Sequence, residues 1–470
     1  MLPSTWRYAW GTGGGTAVAH LLDGSRTMSR RKSQPEESDP SVGRLVLVEY
    51  YLTEDRALIF FITAESAEPE LVTVPVDARQ LDELVVPMVH ALDRVAEDPA
   101  ALEQATTVLG DPILVGLVAP IFDRIRPGDW IYLVPHGPLH RVPLHAVPCQ
   151  GVRLADAHPV AYTPSASVLR YCQANRRGDR STALVVADPP GTEPLTFGQV
   201  HATALSGRFD CDRMQGADAS RAELLRRLGG PAPDAVTADA GHRPPPGILH
   251  VGAHGVFDPE EPMGSGVELA DGRLTATDMF GMRLTGTLVV LAACRTGVSD
   301  TRPGDELLGL IRALLYAGAP AVLVSLWKVD ELSTAMLLDE FYRGLGDGLP
   351  AVVALHRAQS WLRRRTIADL LAYVEQARDR AGPDHPAASR LALAEARIRL
   401  VARDFVGATN AAQAALTLAG TDRDRRRVEN VLHRARFLAG AGVRVPVDLG
   451  RRLYGSFFFW APFVLVGDWD

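Results

Sequence analysis

Lysine is almost missing from this chain of 470 residues: it occurs only at Lys32 and Lys328, and arginine carries the remaining basic charge. This reflects a GC-rich coding sequence rather than a chemistry. An excess of positive charge is missing as well. The formal net charge is −7 at pH 7, so no global basic field recruits nucleic acid or an anionic membrane. Cysteine is scarce, with Cys149, Cys172, Cys211 and Cys294 alone and none in a CxxC pair, which excludes a zinc ribbon and a thioredoxin-like redox motif. The longest apolar run, Phe457 to Val466, falls well short of the roughly 20 residues a bilayer span needs. Near the N-terminus stand Trp6, Trp10 and a glycine-rich run, Gly11 to Gly15, but no apolar signal-peptide core. These absences predict a cytoplasmic, reduced protein that contacts no membrane and no nucleic acid directly, with its thiols available for chemistry.

What is present is the composition of a globular protein, 47% apolar and 22% charged, with mean hydropathy near zero. The length suits two or three compact units. Residues 1–42 mix glycine, serine and charge without periodicity and read as a flexible leader. From residue 43 to 180 comes a first α/β half. RLVLVEYYL, ALIFFIT and LVTVPV read as the strands of a meander. Residues 78–125 read as helical, broken at Asp98-Pro99 and Asp111-Pro112, each an N-cap followed by proline at the first helical position. DWIYLVPHGPLHRVPLHAVP is too rich in proline for a helix and reads as strand, turn, strand.

From 181 to 365 buried strands alternate with amphipathic helices. ALVVAD, GILHVGAH, TLVVLAAC and PAVLVSLW are continuous apolar runs, as parallel strands covered on both faces require. Helices are expected near 218–228, 305–317, 331–345 and 349–364, the second opened by Pro303-Gly304-Asp305 and closed by Gly318. The expected fold class is α/β, a mostly parallel sheet with flanking helices. Residues 366–440 form a helical insertion. In it Ala396, Ala408 and Ala415 flank a turn at Asp404–Gly407, which fits either one degenerate tetratricopeptide unit or an ordinary helical hairpin. Residues 441–470 end in FFFWAPFVLVGDWD, a strand expected to return to the sheet.

Open α/β sheets do their chemistry beyond the carboxyl ends of strands. ILHVGA delivers His254-Gly255 there, and LVVLAA delivers Cys294. A thiol on such a loop projects into a cleft, where an imidazole from the neighbouring strand end takes its proton or pairs with the thiolate. Glycine after the histidine lets a backbone N–H approach a carbonyl, and with the amide of Cys294 it makes an oxyanion site. A lone cysteine is more often packing than nucleophile. Here Ala-Cys-Arg-x-Gly follows one strand and His-Gly follows another about 40 residues upstream, near the caspase spacing.

LHVGAHGVFDPEEP, VVLAACRTGVSDTRPGDELLGLIRALLYAGAPAVLVSLWKVDE and YLVPHGPLHRVPLHAV resemble the CHAT family of caspase-like (clan CD) cysteine peptidases, relatives of separase. The resemblance runs from about residue 44 to 365 and reappears in WAPFVLVGD. It implies a caspase-hemoglobinase type sheet preceded by a non-catalytic half. It also implies cleavage of protein substrates by His254 and Cys294 without a cofactor, in a bacterial defence or cell-death pathway. Many relatives carry long tetratricopeptide arrays before the peptidase, where this chain has its short leader. A latent or non-catalytic scaffold, regulated by an activating protein partner, is the alternative reading.

Other residues fit two roles each. Asp330 and Asp188, both at strand ends, suit a pocket for a basic substrate side chain; equally, Asp330 suits the N-cap of the helix that follows and Asp188 a turn before Pro189. Asp258 suits a turn beside His254, Asp305 and Glu306 a helix cap, and Trp327 either a cleft wall or core. His136, His140 and His145 lie in a proline-broken segment without a carboxylate, and no metal site is expected of them. His250 and His254 do not form HExxH, and His250 is expected to be a buried, hydrogen-bonded strand residue.

Overall fold

The computed structural model describes residues 43–95, 98–177, 179–190, 195–229, 244–256, 261–292, 308–382, 385–440 and 446–470. The meander is built from β1 (Leu45–Leu52), β2 (Arg56–Thr63) and β3 (Glu70–Pro75), paired antiparallel in sequence order. Helices α1 (Ala78–Arg94), α2 (Pro99–Leu109) and α3 (Pro112–Phe122) follow. The Asp-Pro signals act as read: Asp98 accepts from the Ala100 N–H at 3.0 Å and Asp111 from the Ile113 N–H at 2.8 Å. Next come β4 (Trp130–Val134), β5 (Val160–Tyr162) and α4 (Ala166–Ala174). The stretch between β4 and β5 departs from the expected strand, turn, strand. After β4 it makes two short 3₁₀ turns, Gly137–Arg141 and Leu144–Ala146. Pro138, Pro143 and Pro148 lack the N–H that a second strand would need for its ladder.

The second half contains β6 (Thr182–Ala187), α5 (Gly198–Ser206), β7 (Asp210–Gln215), α6 (Arg221–Leu228) and β8 (Ile248–Gly252). A small antiparallel sheet follows, of β9 (Gly255–Val256), β10 (Gly266–Leu269) and β11 (Gly272–Thr275). The chain continues through β12 (Leu288–Leu291), α7 (Leu308–Tyr316), β13 (Ala321–Ser325), α8 (Glu331–Gly346) and α9 (Ala351–Arg363). Gly318, at φ +100°, closes α7 as expected. The residues of β8, β12 and β13 are buried throughout, which is why their sequences show no alternation.

Helices α10 (Ile367–Ala381), α11 (Ala388–Val401), α12 (Phe405–Thr417) and α13 (Asp422–Gly440) come next. The turn between α11 and α12 is capped by Asp404, which accepts from the Gly407 N–H at 2.9 Å, and Ala396, Ala408 and Ala415 are buried in the hairpin. The final segment opens with a helical turn, Phe457–Trp460, and only then becomes β14 (Phe463–Gly467).

All strands outside the small sheet join one 11-stranded sheet, ordered β3-β2-β1-β4-β5-β14-β13-β12-β8-β6-β7. The last strand in the chain therefore lies in the middle, parallel to β5 and antiparallel to β13. Because β1, β4 and β5 run with β14, they point opposite to β13, β12, β8, β6 and β7. The direction of strand addition reverses between β6, which leads outward to β7, and β8, which leads back through β12 to β13. Right-handed crossovers then put α5 and α7 on opposite faces of the sheet. Among the described residues no single helix is long and apolar enough to cross a membrane; α2 and α3 pass only as a pair bent by 50°.

Candidate active site

A reversal of strand order opens a crevice at the carboxyl ends of the strands beside it. Here that crevice lies between β6 and β8. Five strands end along this edge in the order β13, β12, β8, β6, β7. Asp330 follows β13, His254 follows β8, and Asp188 follows β6 directly. Strand β12 leads toward Cys294, which lies outside the described residues, as do Asp258, Asp305, Glu306, residues 1–42 and the loop Arg295-Thr296-Gly297. Val251 on β8 stands opposite Leu291 on β12. His254 is three residues beyond the first and Cys294 three beyond the second. The last described residue on the β12 side, Ala292, donates its N–H to the Val251 carbonyl at 3.0 Å.

His254 is half-buried. Its carbonyl accepts the Glu268 N–H at 2.8 Å, which ties the residue to β10 of the small sheet. Gly255 stands opposite Val267. Since the flanking His254 carbonyl takes the Glu268 N–H, this is a non-hydrogen-bonded pair, and the Gly255 N–H is directed away from β10. Strand β9 is the outer strand of its sheet, so this amide faces off the open edge next to the imidazole.

Asp188 adopts a left-handed backbone, φ +50°, a conformation that costs a non-glycine residue about 1–2 kcal/mol. Its carboxylate lies against Gly198 at the start of α5, where a Cβ would come within 2.8 Å of Oδ1. Asp330 is the N-cap of α8: its Oδ2 accepts from the Ser333 N–H at 2.8 Å. The same oxygen also accepts the Tyr454 hydroxyl at 3.2 Å. Burial, reinforced by the Asp330 charge, holds the Tyr454 phenol far above its usual range, so it remains a donor.

His250 is buried, and its Nδ1 shares a hydrogen bond of 2.7 Å with the Tyr342 hydroxyl. Trp327 is core: it is buried and its indole N–H donates to the Phe458 carbonyl at 3.1 Å. His136, beyond the carboxyl end of β4, lies on the opposite edge of the sheet from His254, because β4 runs the other way. Its Nδ1 accepts the Leu52 N–H at 3.2 Å. His145 is buried and hydrogen-bonded to the Tyr162 hydroxyl at 2.8 Å, and His140 sits in the first 3₁₀ turn.

Two supporting residues escaped the sequence reading. Tyr342 and Tyr454 fasten β8 and Asp330 from positions distant in the chain, and neither has a local motif that marks it. Cys149, Cys172 and Cys211 are free thiols, two of them buried. Burial pushes the Cys172 thiol up to about 12, which keeps it protonated and unreactive.

Human tetratricopeptide repeat protein 28 is 41% identical over 85 residues, and its mouse counterpart is 40% identical over 85 residues; each alignment takes in 18% of this chain. The chain spans 3% of the length of either curated relative. Among solved structures, the Saccharomyces cerevisiae separase–securin complex superposes with a TM-score of 0.45 at 10% identity, covering 74% of this chain and 30% of that one. The Arg-specific cysteine proteinase gingipain R superposes at 0.36, also at 10% identity, covering 70% and 74%. The match to the CHAT domain begins at residue 99 rather than near 44, and it runs through the helices of 366–440 to residue 468. It takes in well over half of the sequence, and the protein belongs to the CHAT domain family.

Proposed function

We propose that the protein is a cysteine endopeptidase in which Cys294 is the nucleophile and His254 the proton carrier. One observation carries this reading: β8 and β12 are adjacent, parallel and in register, and each leads over the same edge toward one member of the pair. In the proposed reaction the Cys294 thiolate attacks the scissile carbonyl. The resulting oxyanion is held by the N–H groups of Gly255 and Cys294. Collapse of the tetrahedral species breaks the C–N bond, and His254 delivers the proton to the leaving amine. Water activated by the same imidazole then cleaves the thioester and regenerates the thiol. No cofactor enters these steps.

Asp188 is the proposed floor of the pocket for a basic side chain preceding the cut, with Asp330 as a second carboxylate along the same edge. One Asp330 oxygen already serves Ser333 and Tyr454. The substrate is a protein. A role in bacterial defence or cell death rests on the family resemblance, and a cytoplasmic setting, which keeps a thiol reduced, suits the chemistry.

A second reading is a partner-regulated module, latent until a protein binds. It is favoured by large apolar side chains left exposed on the helical segment, Val406 at 68% and Phe437 at 70%.

The test is cleavage of a mixed fluorogenic peptide library by the wild-type chain, Cys294→Ala and His254→Ala. Cleavage after arginine or lysine that disappears in both variants supports the peptidase. Cleavage that persists in Cys294→Ala overturns it. Silence of all three chains, with wild-type activity appearing only when a protein partner is added, selects the second reading.

A further inference from the structure

At the pole opposite the crevice, where β6 begins and β14 ends, a cavity of about 300 Å³ is lined by Arg177, Arg180 and Arg208. Its one carboxylate is that of Asp470. The carboxylate is a loose partner: Arg180 Nη1 lies 3.7 Å from Asp470 Oδ1, and Arg176 Nε lies 3.7 Å from Oδ2. Other pairs in the molecule are tighter, as that of Arg221 and Asp278 is at 2.6 Å. Arg176 itself is committed to the buried Asp468, which it grips with two nitrogens. Neither the Arg177 nor the Arg208 guanidinium has a hydrogen bond or an ion pair with any described residue. The cavity thus gathers three guanidinium groups around one side-chain carboxylate.

The arginines are held in place by packing. A Cβ on Gly286, where φ is +80°, would fall 2.5 Å from Arg177 Cδ, so the arginine stem lies flat on that backbone. A Cβ on Gly346 would meet Arg208 Cδ at 3.5 Å. The side chain of Arg180 is only 17% exposed, and burial pushes its guanidinium below the usual arginine value although Asp470 and Asp468 act against it. The floor is apolar, made by Phe209 and Leu345.

We propose that this cavity binds a small phosphate monoester, its phosphate among Arg177, Arg180 and Arg208 and its organic group on Phe209 and Leu345. A phosphate monoester carries between about −1.5 and −2 charges at neutral pH, more than a carboxylate, and offers oxygens to several guanidinium groups at once. Guanidinium groups bind phosphate oxygens in parallel pairs. The proposal does not depend on the peptidase reading.

The experiment is calorimetric titration of the full chain with phenyl phosphate at constant ionic strength, with benzoate as comparator and the double variant Arg177→Ala/Arg208→Ala as control. The expected result is saturable one-to-one binding of phenyl phosphate, at least tenfold weaker in the double variant and at least tenfold weaker for benzoate. Both variant side chains are largely exposed, so the unliganded melting temperature of the double variant should match the wild type; a matched melting curve is the condition for counting its weaker binding. Should it melt early, Arg208→Lys, which keeps the charge but loses the paired donors, serves instead. Absence of saturable binding to the wild type overturns the proposal, as does equal binding by the variants or by benzoate.

Discussion

The imidazole of His250 and the hydroxyl of Tyr342 meet at 2.7 Å inside the core. That bond fastens β8, which leads to His254, to α8, whose N-cap is Asp330. Two residues of the candidate edge are thereby tied to one buried polar contact. Removing the hydroxyl strands the buried ring nitrogen, a loss of about 1–3 kcal/mol. Tyr342→Phe should therefore lower the unfolding free energy by that amount, shifting the urea midpoint down without changing the slope of the transition. An unchanged midpoint would show that the contact adds nothing.

Asp188 and Asp330 should separate on substitution. Asp330→Ala deletes an N-cap and a tyrosine partner, and is expected to cost about 1–2 kcal/mol of stability. Asp188→Asn removes a charge while keeping the shape of the side chain. It should leave the melting curve near wild type and lower kcat/KM for peptides with arginine before the cut at least tenfold relative to those with a neutral residue. Equal losses on both peptides would remove Asp188 from the specificity pocket.

Glu49, within β1, has no cationic partner among the described residues, and burial pushes its carboxyl up to about 7. The folded value lies above the unfolded one, so the proton is bound more tightly in the native state. Below about pH 4.5 both states are protonated and the group is silent. Between pH 4.5 and 7 the unfolded chain ionises first and native stability falls. Glu49→Gln should match the wild type at pH 4 and exceed it by about 1–3 kcal/mol at pH 8, measured by denaturant titration at both values. A gain that is the same at both pH values would place its origin elsewhere.

His145 works in the opposite direction. Burial first, and the Arg363 charge second, hold its imidazole down at about 3. The native state keeps the ring neutral while an unfolded histidine binds a proton below about pH 6.5. Stability contributed by the neutral ring is complete above pH 6.5 and is lost as pH falls toward 3. His145→Gln should thus lose about 2–3 kcal/mol less than the wild type between pH 6.5 and 4, even if it starts from a lower value. Parallel pH profiles for the two proteins would contradict the assignment.

The elements most legible in the sequence were those governed by local rules. Continuous apolar runs gave β6, β8, β12 and β13, and the pairs Asp98-Pro99 and Asp111-Pro112 gave the starts of α2 and α3. His254 was legible as a strand-end residue for the same reason. The segment after β4 was misread because its prolines suit 3₁₀ turns as well as a broken strand, and only packing chooses between them. The place of β14 could not be read either: its apolar pattern identifies a buried strand but not its neighbours, β5 and β13. The double use of Asp330 was invisible, since its partner Tyr454 is brought up by tertiary folding. The arginine cluster was equally hidden, because Arg177, Arg180 and Arg208 converge only after the strands are assembled.

The central position of β14 bears on how the chain is made. A nascent chain leaving the ribosome completes β5 and β13 long before Phe463–Gly467 are translated. Throughout that interval both strands present open edges, the feature by which sheets recruit unwanted partners. Pairings such as Val322 with Val466 also close a long loop, which slows folding. Biogenesis should accordingly pass through two half-sheets awaiting one strand, and the cell must shield them until it arrives.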